Sequence, residues 1–148
     1  MARVLIVGCG CRGRTLGRAL RERGHAVRGT SRSDEGRAAI EADGLEGVVA
    51  DPDRLATLMP RLHGVSALCW LLGGLDAPAL EERFASLLEA LVDTHVRGVV
   101  YEAPSATAAA RRASVTYRMP VVAVTESPAE PERWLAAALR AVDSVLAA

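Results

Sequence analysis

The chain contains no lysine, no asparagine and no glutamine, and all 18 of its basic side chains are arginine. Without lysine, three chemistries are excluded: a Schiff-base lysine, the phosphate-binding lysine of a Walker loop, and a tyrosine–lysine catalytic pair. A charge excess is missing too. The 18 arginines face 18 acidic residues, a formal net charge of zero, so nothing draws in nucleic acid and there is no acidic tail. No apolar run is long enough to span a bilayer, and the first residues lead into the strand-like Arg3-Val4-Leu5-Ile6-Val7 rather than a secretory leader. A cytoplasmic location with no membrane partner is the expectation. The three cysteines are an odd number, which argues against a disulfide framework.

What is present fits one domain over residues 1–148, half hydrophobic and 24% charged. Short apolar runs at 4–7, 26–30, 47–50, 67–71, 98–101 and 121–124 read as strands buried on both faces. Helical patterns at 13–23, 34–42, 53–62, 79–92, 105–114 and 131–146 separate them. Gly24 reads as a helix stop, Ser33 as an N-cap, and Asp51-Pro52 as an N-cap followed by proline at the first helical position. This alternation predicts a single doubly wound α/β domain. Its sheet would be six-stranded and parallel, of order 3-2-1-4-5-6, with helices on both faces and a ligand at the carboxyl edge where the order reverses.

The first strand runs into Gly8-Cys9-Gly10-Cys11-Arg12-Gly13, a GxGxxG turn opening a helix. Gly8 permits the turn, Gly10 lets backbone approach a pyrophosphate, and Gly13 brings helix and strand together, with Gly17 one turn later doing the same against a neighbour. The free N–H groups at the helix start then favour phosphate. A Rossmann dinucleotide site follows, with Gly8, Gly10, Cys11, Arg12 and Gly13 in its phosphate turn. NAD-binding versions carry an acid at the tip of the second strand, roughly 20 residues on. Here that tip reads Thr30-Ser31-Arg32, two hydroxyls and a guanidinium, which suits the 2′-phosphate of NADP. Arg12 would add a second cation near that phosphate. NAD stays open as the alternative through Asp34, one small register shift away, whose other role is a first-turn helix charge.

The strings RVLIVGCGCRG, RGHAVRGTSRS and VVADPDRL resemble the NAD(P)H-binding, NmrA-like and atypical members of the extended short-chain dehydrogenase/reductase superfamily. The resemblance is carried by the first half of the chain. It implies that Arg32 contacts the NADP 2′-phosphate and that Asp51 receives the adenine amino group. Two departures matter. The glycine motif is GxGxxG rather than the superfamily's usual GxxGxxG, and its Tyr-x-x-x-Lys pair cannot exist without lysine. The chain also stops where those enzymes continue into a substrate-binding region.

Other candidates sort by their place on the sheet. His25, His63 and His95 precede strands, so they belong to the edge away from the cofactor. Cys9, Cys11 and Cys69 fall near the carboxyl edge. A thiol at the nicotinamide, a redox pair or a metal site is conceivable there, but too few ligands gather for a metal, and small buried cysteines are the plainer reading. Leu71 and Leu72, before Gly73-Gly74, would pass beside a cofactor ribose. Tyr101, Glu102 and Glu126 end strands five and six as candidate acids or bases, or as helix caps and solvated charges, and no catalytic residue is assigned. The helix over 79–92 carries Leu80, Phe84, Leu87, Leu88 and Leu91, enough apolar surface to leave a homodimer open or simply to pack on the sheet. Three functions fit: an NADP(H)-dependent oxidoreductase lacking the Tyr-Lys pair, whose substrate site a second subunit completes; a non-catalytic NADP(H)-sensing or regulatory module; and, less well, a nucleotide-sugar epimerase-like enzyme.

Overall fold

The computed structural model describes residues 2–72, 78–103 and 106–148, with the backbone alone for 78–80. In chain order the elements are β1 (Arg3–Val7), α1 (Cys11–Glu22), β2 (Ala26–Ser31), α2 (Asp34–Ala42), β3 (Glu46–Val49), α3 (Leu55–Leu58) running into a 3-10 turn (Met59–Leu62), β4 (Ala67–Trp70), α4 (Pro78–Leu91), β5 (Gly98–Glu102), α5 (Ala108–Thr116), β6 (Val121–Val124) and α6 (Pro131–Ala147). The six strands form one sheet, ordered β3-β2-β1-β4-β5-β6, and every pair is parallel. The topology is the one the sequence predicts, a Rossmann sheet.

Alternation along the strands splits the core in two. Leu5, Val7, Leu68, Trp70, Val99 and Tyr101 face α3, α4 and α5. Val4, Ile6, Ala67, Cys69 and Val100 face α1, α2 and α6. With helices on both sides, β1, β4 and β5 need apolar residues on both faces, which explains their runs at Val4–Val7, Ala67–Trp70 and Val99–Tyr101.

Helix α1 lies close to the sheet because its buried face is Gly13, Leu16, Gly17 and Leu20. A Cβ at Gly13 would stand 3.2 Å from Ile6 Cγ2, and one at Gly17 would run into the Leu45 side chain. Gly24, at φ +91°, ends the excursion in a left-handed conformation that costs glycine nothing. On α6 the fully buried stripe is Trp134, Ala137, Ala138, Ala141, Val142 and Val145. Leu135, Leu139 and Leu146 lie at its margin, only partly buried.

Three expectations fail locally. The single helix over 53–62 is a short α-turn followed by a 3-10 turn. Pro60 has no N–H to give to an α-helical ladder, so the chain tightens after Leu58. Asp51 is not an N-cap. Its Oδ1 accepts from the Asp53 N–H at 2.9 Å in a local Asx turn, and α3 begins after Arg54. Helix α5 also begins later than expected, because Thr107 caps it through the Ala110 N–H at 3.1 Å; the predicted start, Ser105, lies outside the described residues. In α4, Phe84, Leu87, Leu88 and Leu91 are all buried in the core, so that face is spent on the sheet; the side chain of Leu80 lies outside the described residues. Among the described residues no helix is long and apolar enough to cross a membrane.

Candidate functional site

Thr30, at the end of β2 and almost wholly buried, holds the glycine turn. Its hydroxyl accepts from the Gly8 N–H at 3.3 Å, and its carbonyl accepts from the Cys9 N–H at 3.0 Å. Gly8 sits at φ +77°, and a Cβ there would press on the Leu72 side chain and the Leu71 carbonyl. Gly8 is therefore required twice, by its dihedral and by the approach of the β4 loop. Gly10 is the opposite case, since a Cβ there would meet nothing within 4 Å. It opens α1 with no side-chain cap, whereas α2 is capped by Ser33 and α5 by Thr107. Open space above backbone N–H groups at an uncapped helix start is what a phosphate needs.

Beside the turn lies a cavity of about 400 Å³, lined by Gly8 and Gly10, by Thr30, Ser31 and Arg32 from the β2 end, by Leu71 and Leu72 from the β4 end, and by Arg14. Its volume falls within the usual range for small-molecule sites. Two cations border it. Arg32 is 60% exposed and rests lightly on Asp53 at 3.3 Å and Asp51 at 3.6 Å. Arg14 is held by Asp43 at 2.9 Å, a carboxylate it shares with Arg18. Asp34 is turned to Arg37 of its own helix at 3.3 Å. Ala50 and Pro52 line the cavity on either side of Asp51, whose carboxylate is taken up by the Asp53 N–H and Arg32.

Arg12 is placed differently from the expectation. Its guanidinium lies across the sheet from Arg32, gripping Glu102 at the end of β5 through Nε at 3.0 Å and Nη2 at 2.8 Å. The Trp134 indole N–H, from the first turn of α6, donates to the same carboxylate at 3.0 Å, and the guanidinium lies 5.8 Å from that ring's centre. Burying a carboxylate is costly unless it is paired and hydrogen-bonded, and three donors meet that need. The hydrogen bonds that Arg12 donates to Glu102 raise its pKa above the ordinary value, so the guanidinium stays charged. A second cavity, of about 210 Å³, lies on this side, lined by Cys11, Arg12, Thr15, Pro128, Pro131 and Trp134. Of these residues, Arg14 and Trp134 are absent from the sequence reading. Arg14 carried only the signal of standing one residue past the motif, and Trp134 that of a lone aromatic at a helix start.

The remaining candidates are settled by burial. Tyr101 is fully buried, and its hydroxyl accepts from the Thr107 N–H at 3.1 Å. Cys9 and Cys69 are buried, and desolvation pushes both thiols up to about 12, so they stay protonated and inert near neutral pH. Cys11 alone is exposed. The three histidines lie at the amino ends of β2, β4 and β5, where His25 Nδ1 accepts from the Ala2 N–H at 3.2 Å. No group of His, Cys, Asp and Glu able to hold a metal occurs among the described residues. Gly73 and Gly74 lie outside them.

No protein-family model matches the chain, and no curated protein matches its sequence. Solved structures do match the fold. The triphenylmethane reductase of Citrobacter sp., complexed with NADP(H), is 20% identical over 84% of this chain and 49% of that one, with a TM-score of 0.67. Yeast methylglyoxal/isovaleraldehyde reductase, complexed with NADPH, is 16% identical over 68% of this chain and 36% of its own, with a TM-score of 0.57. Alfalfa vestitone reductase is 19% identical over 70% of this chain and 36% of its own, with a TM-score of 0.55. The chain spans half or less of the length of these reductases, and what it shares with them is the Rossmann fold.

Proposed function

We propose that this chain binds NADP(H) across the carboxyl edge of its sheet. The observation that carries the reading is the cavity between the glycine turn and the end of β2, bordered by Arg14 and Arg32, where the strand itself runs out in Thr30-Ser31-Arg32 rather than in an acid. The uncapped N–H groups at the start of α1 would take the pyrophosphate, and Arg32 and Ser31 the 2′-phosphate, with Arg14 close by. Thr30 serves by fixing the turn, Gly13 by seating the helix, and Leu71 and Leu72 by walling the crevice. Cys11 borders the other half of the site, and Asp51 contributes by holding Arg32. The two similar reductases solved with NADP(H) and NADPH support this cofactor. The sequence strings resemble those of the NmrA-like and atypical branch of the short-chain dehydrogenase/reductase superfamily. NADP(H) supplies hydride transfer when bound.

Thermal unfolding with NADP⁺, NADPH, NAD⁺ and NADH tests the reading. A ligand at a hundred times its Kd stabilises by about 2.7 kcal/mol, which for a chain of this size raises Tm by roughly 5–10 °C. The shift is expected with the two phosphorylated forms. No shift with any of the four refutes the reading, and an equal shift with all four refutes the choice of NADP.

Two versions of this function remain, and the state of the strand-end acids separates them. Tyr101 is buried, and Glu102 is committed to Arg12 and Trp134. In the oxidoreductase version the proton donor is Glu126 beyond β6, which Arg140 holds only at 3.9 Å, or a group of a second subunit that also walls the substrate. In the other version these residues form a module that reads NADP(H). Steady NADPH oxidation against a panel of carbonyl and quinone acceptors, rising more than linearly with protein concentration, supports the enzyme. Binding without turnover at any concentration supports the module.

A further inference from the structure

We infer that the Arg12–Glu102 ion pair sets the preference of this site between reduced and oxidised NADP. The inference rests on NADP(H) as the ligand. The strand order reverses between β1 and β4, and a dinucleotide crosses that point with one half on each side. The cavity with Arg32 lies on the β2 side and suits the adenosine half. The nicotinamide half then belongs to the side of β4 and β5, where Arg12, Glu102 and Trp134 meet. The two redox forms share every atom of the adenosine half and its phosphates. They differ in a hydride and in one positive charge on the nicotinamide ring, so only charge on this second side tells them apart electrostatically.

The pair is asymmetric. The Arg12 side chain is 42% exposed and borders the second cavity, whereas the Glu102 side chain is 9% exposed and does not, so the cation stands in front and the anion behind it. Glu102 is further shielded by the Trp134 N–H. The exposed face of the pair is positive, and it disfavours a cationic ring over a neutral one. Glu102 moderates the effect without cancelling it, because the guanidinium stands in front. Neither residue touches the adenosine cavity, so their influence should not extend to 2′-phosphate recognition.

The test measures Kd for NADP⁺, NADPH and 2′,5′-ADP by calorimetry on the native chain, Glu102→Gln and Arg12→Met. The last ligand carries the adenosine half alone and reports that the variants are folded. The native chain should bind NADPH about threefold or more tighter than NADP⁺. Glu102→Gln, which leaves the guanidinium unbalanced, should widen that ratio by a similar factor. Arg12→Met, which removes the cation, should narrow it. Affinity for 2′,5′-ADP should be unchanged in all three. A purely structural role for the pair would lower all affinities together and would not move the ratio in opposite directions. If a variant fails to fold, Arg12→Lys keeps the charge but loses the two-pronged grip on Glu102, and it should widen the ratio. Ratios equal across all folded proteins overturn the inference while leaving NADP(H) binding intact. A native chain that takes none of the three ligands overturns both.

Discussion

Replacing Arg32 with alanine separates the fold from the proposed site. In the structure the Arg32 guanidinium is 60% exposed, and its two contacts, to Asp53 at 3.3 Å and Asp51 at 3.6 Å, are long. Both carboxylates keep other partners after its removal: Arg83 reaches Asp53 at 3.0 Å, and the Asp53 N–H still donates to Asp51. Exposed pairs of this kind contribute about 0–1 kcal/mol once solvent screening is counted. A chain of this size shifts its Tm by about 2–4 °C per kcal/mol, so Arg32→Ala should unfold within about 4 °C of the native chain. Binding should respond far more. A charge-assisted hydrogen bond to phosphate is worth about 1.5–3 kcal/mol, which corresponds to a loss of roughly 10–150-fold in NADPH affinity. NADH lacks the 2′-phosphate, and its affinity should change less than about twofold. Titration calorimetry with both nucleotides on both proteins reads the difference. An equal loss for NADH and NADPH, or none for either, refutes the assignment of Arg32 to the 2′-phosphate.

Gly10→Ala adds a methyl where nothing lies within 4 Å, at an ordinary φ of −84°. Stability should fall by no more than about 1 kcal/mol, while NADPH binding drops at least tenfold, because the methyl enters the space the pyrophosphate needs; unchanged binding would mean that the phosphate does not cross this turn. Gly29→Ala should act in the reverse sense. Its Cβ would sit 2.7 Å from Cys9 Sγ inside the core, and denaturant unfolding should show a loss of about 1–3 kcal/mol. For the thiols, Cys9 and Cys69 ionise at about 12 in the fold against 9.0 unfolded. Their contribution to stability is complete below pH 9 and is lost as pH climbs towards 12, because only the unfolded chain releases their protons there. Unfolding midpoints measured from pH 8 to 11 should fall, and less steeply in Cys69→Ala. A thiol reagent at pH 8 should modify one cysteine, Cys11, in the native chain and three after denaturation.

Much of the fold was legible because its determinants are local. An apolar run flanked by helical spacing announces a buried parallel strand wherever it occurs, and six of them in alternation leave few topologies. Boundaries were less legible where a side chain captured a nearby N–H. Asp51 did this to Asp53, and Thr107 did it to Ala110. Within the site, the glycines could be read because their spacing after an apolar strand and before a helix is a local pattern, and the positive φ of Gly8 belongs to the turn itself. The charged residues could not be read in the same way. Arg12 and Arg14 are both long and flexible, both stand at the start of α1, and nothing local assigns one to each cavity.

By itself the sequence determined the alternating elements, the strand order, the glycine turn at Gly8–Gly13 and the absence of an acid at the tip of β2. All of these follow from residue type and short-range spacing. Only the tertiary structure decided where the charges rest. Arg12 meets a carboxylate 90 residues away, and that carboxylate meets an indole 32 residues further on. These contacts exist because the sheet order brings the ends of β1 and β5 close and returns α6 to the same face as α1. A salt bridge leaves no periodic trace in a sequence; its partners become neighbours only when the hydrophobic core has set the distance between them.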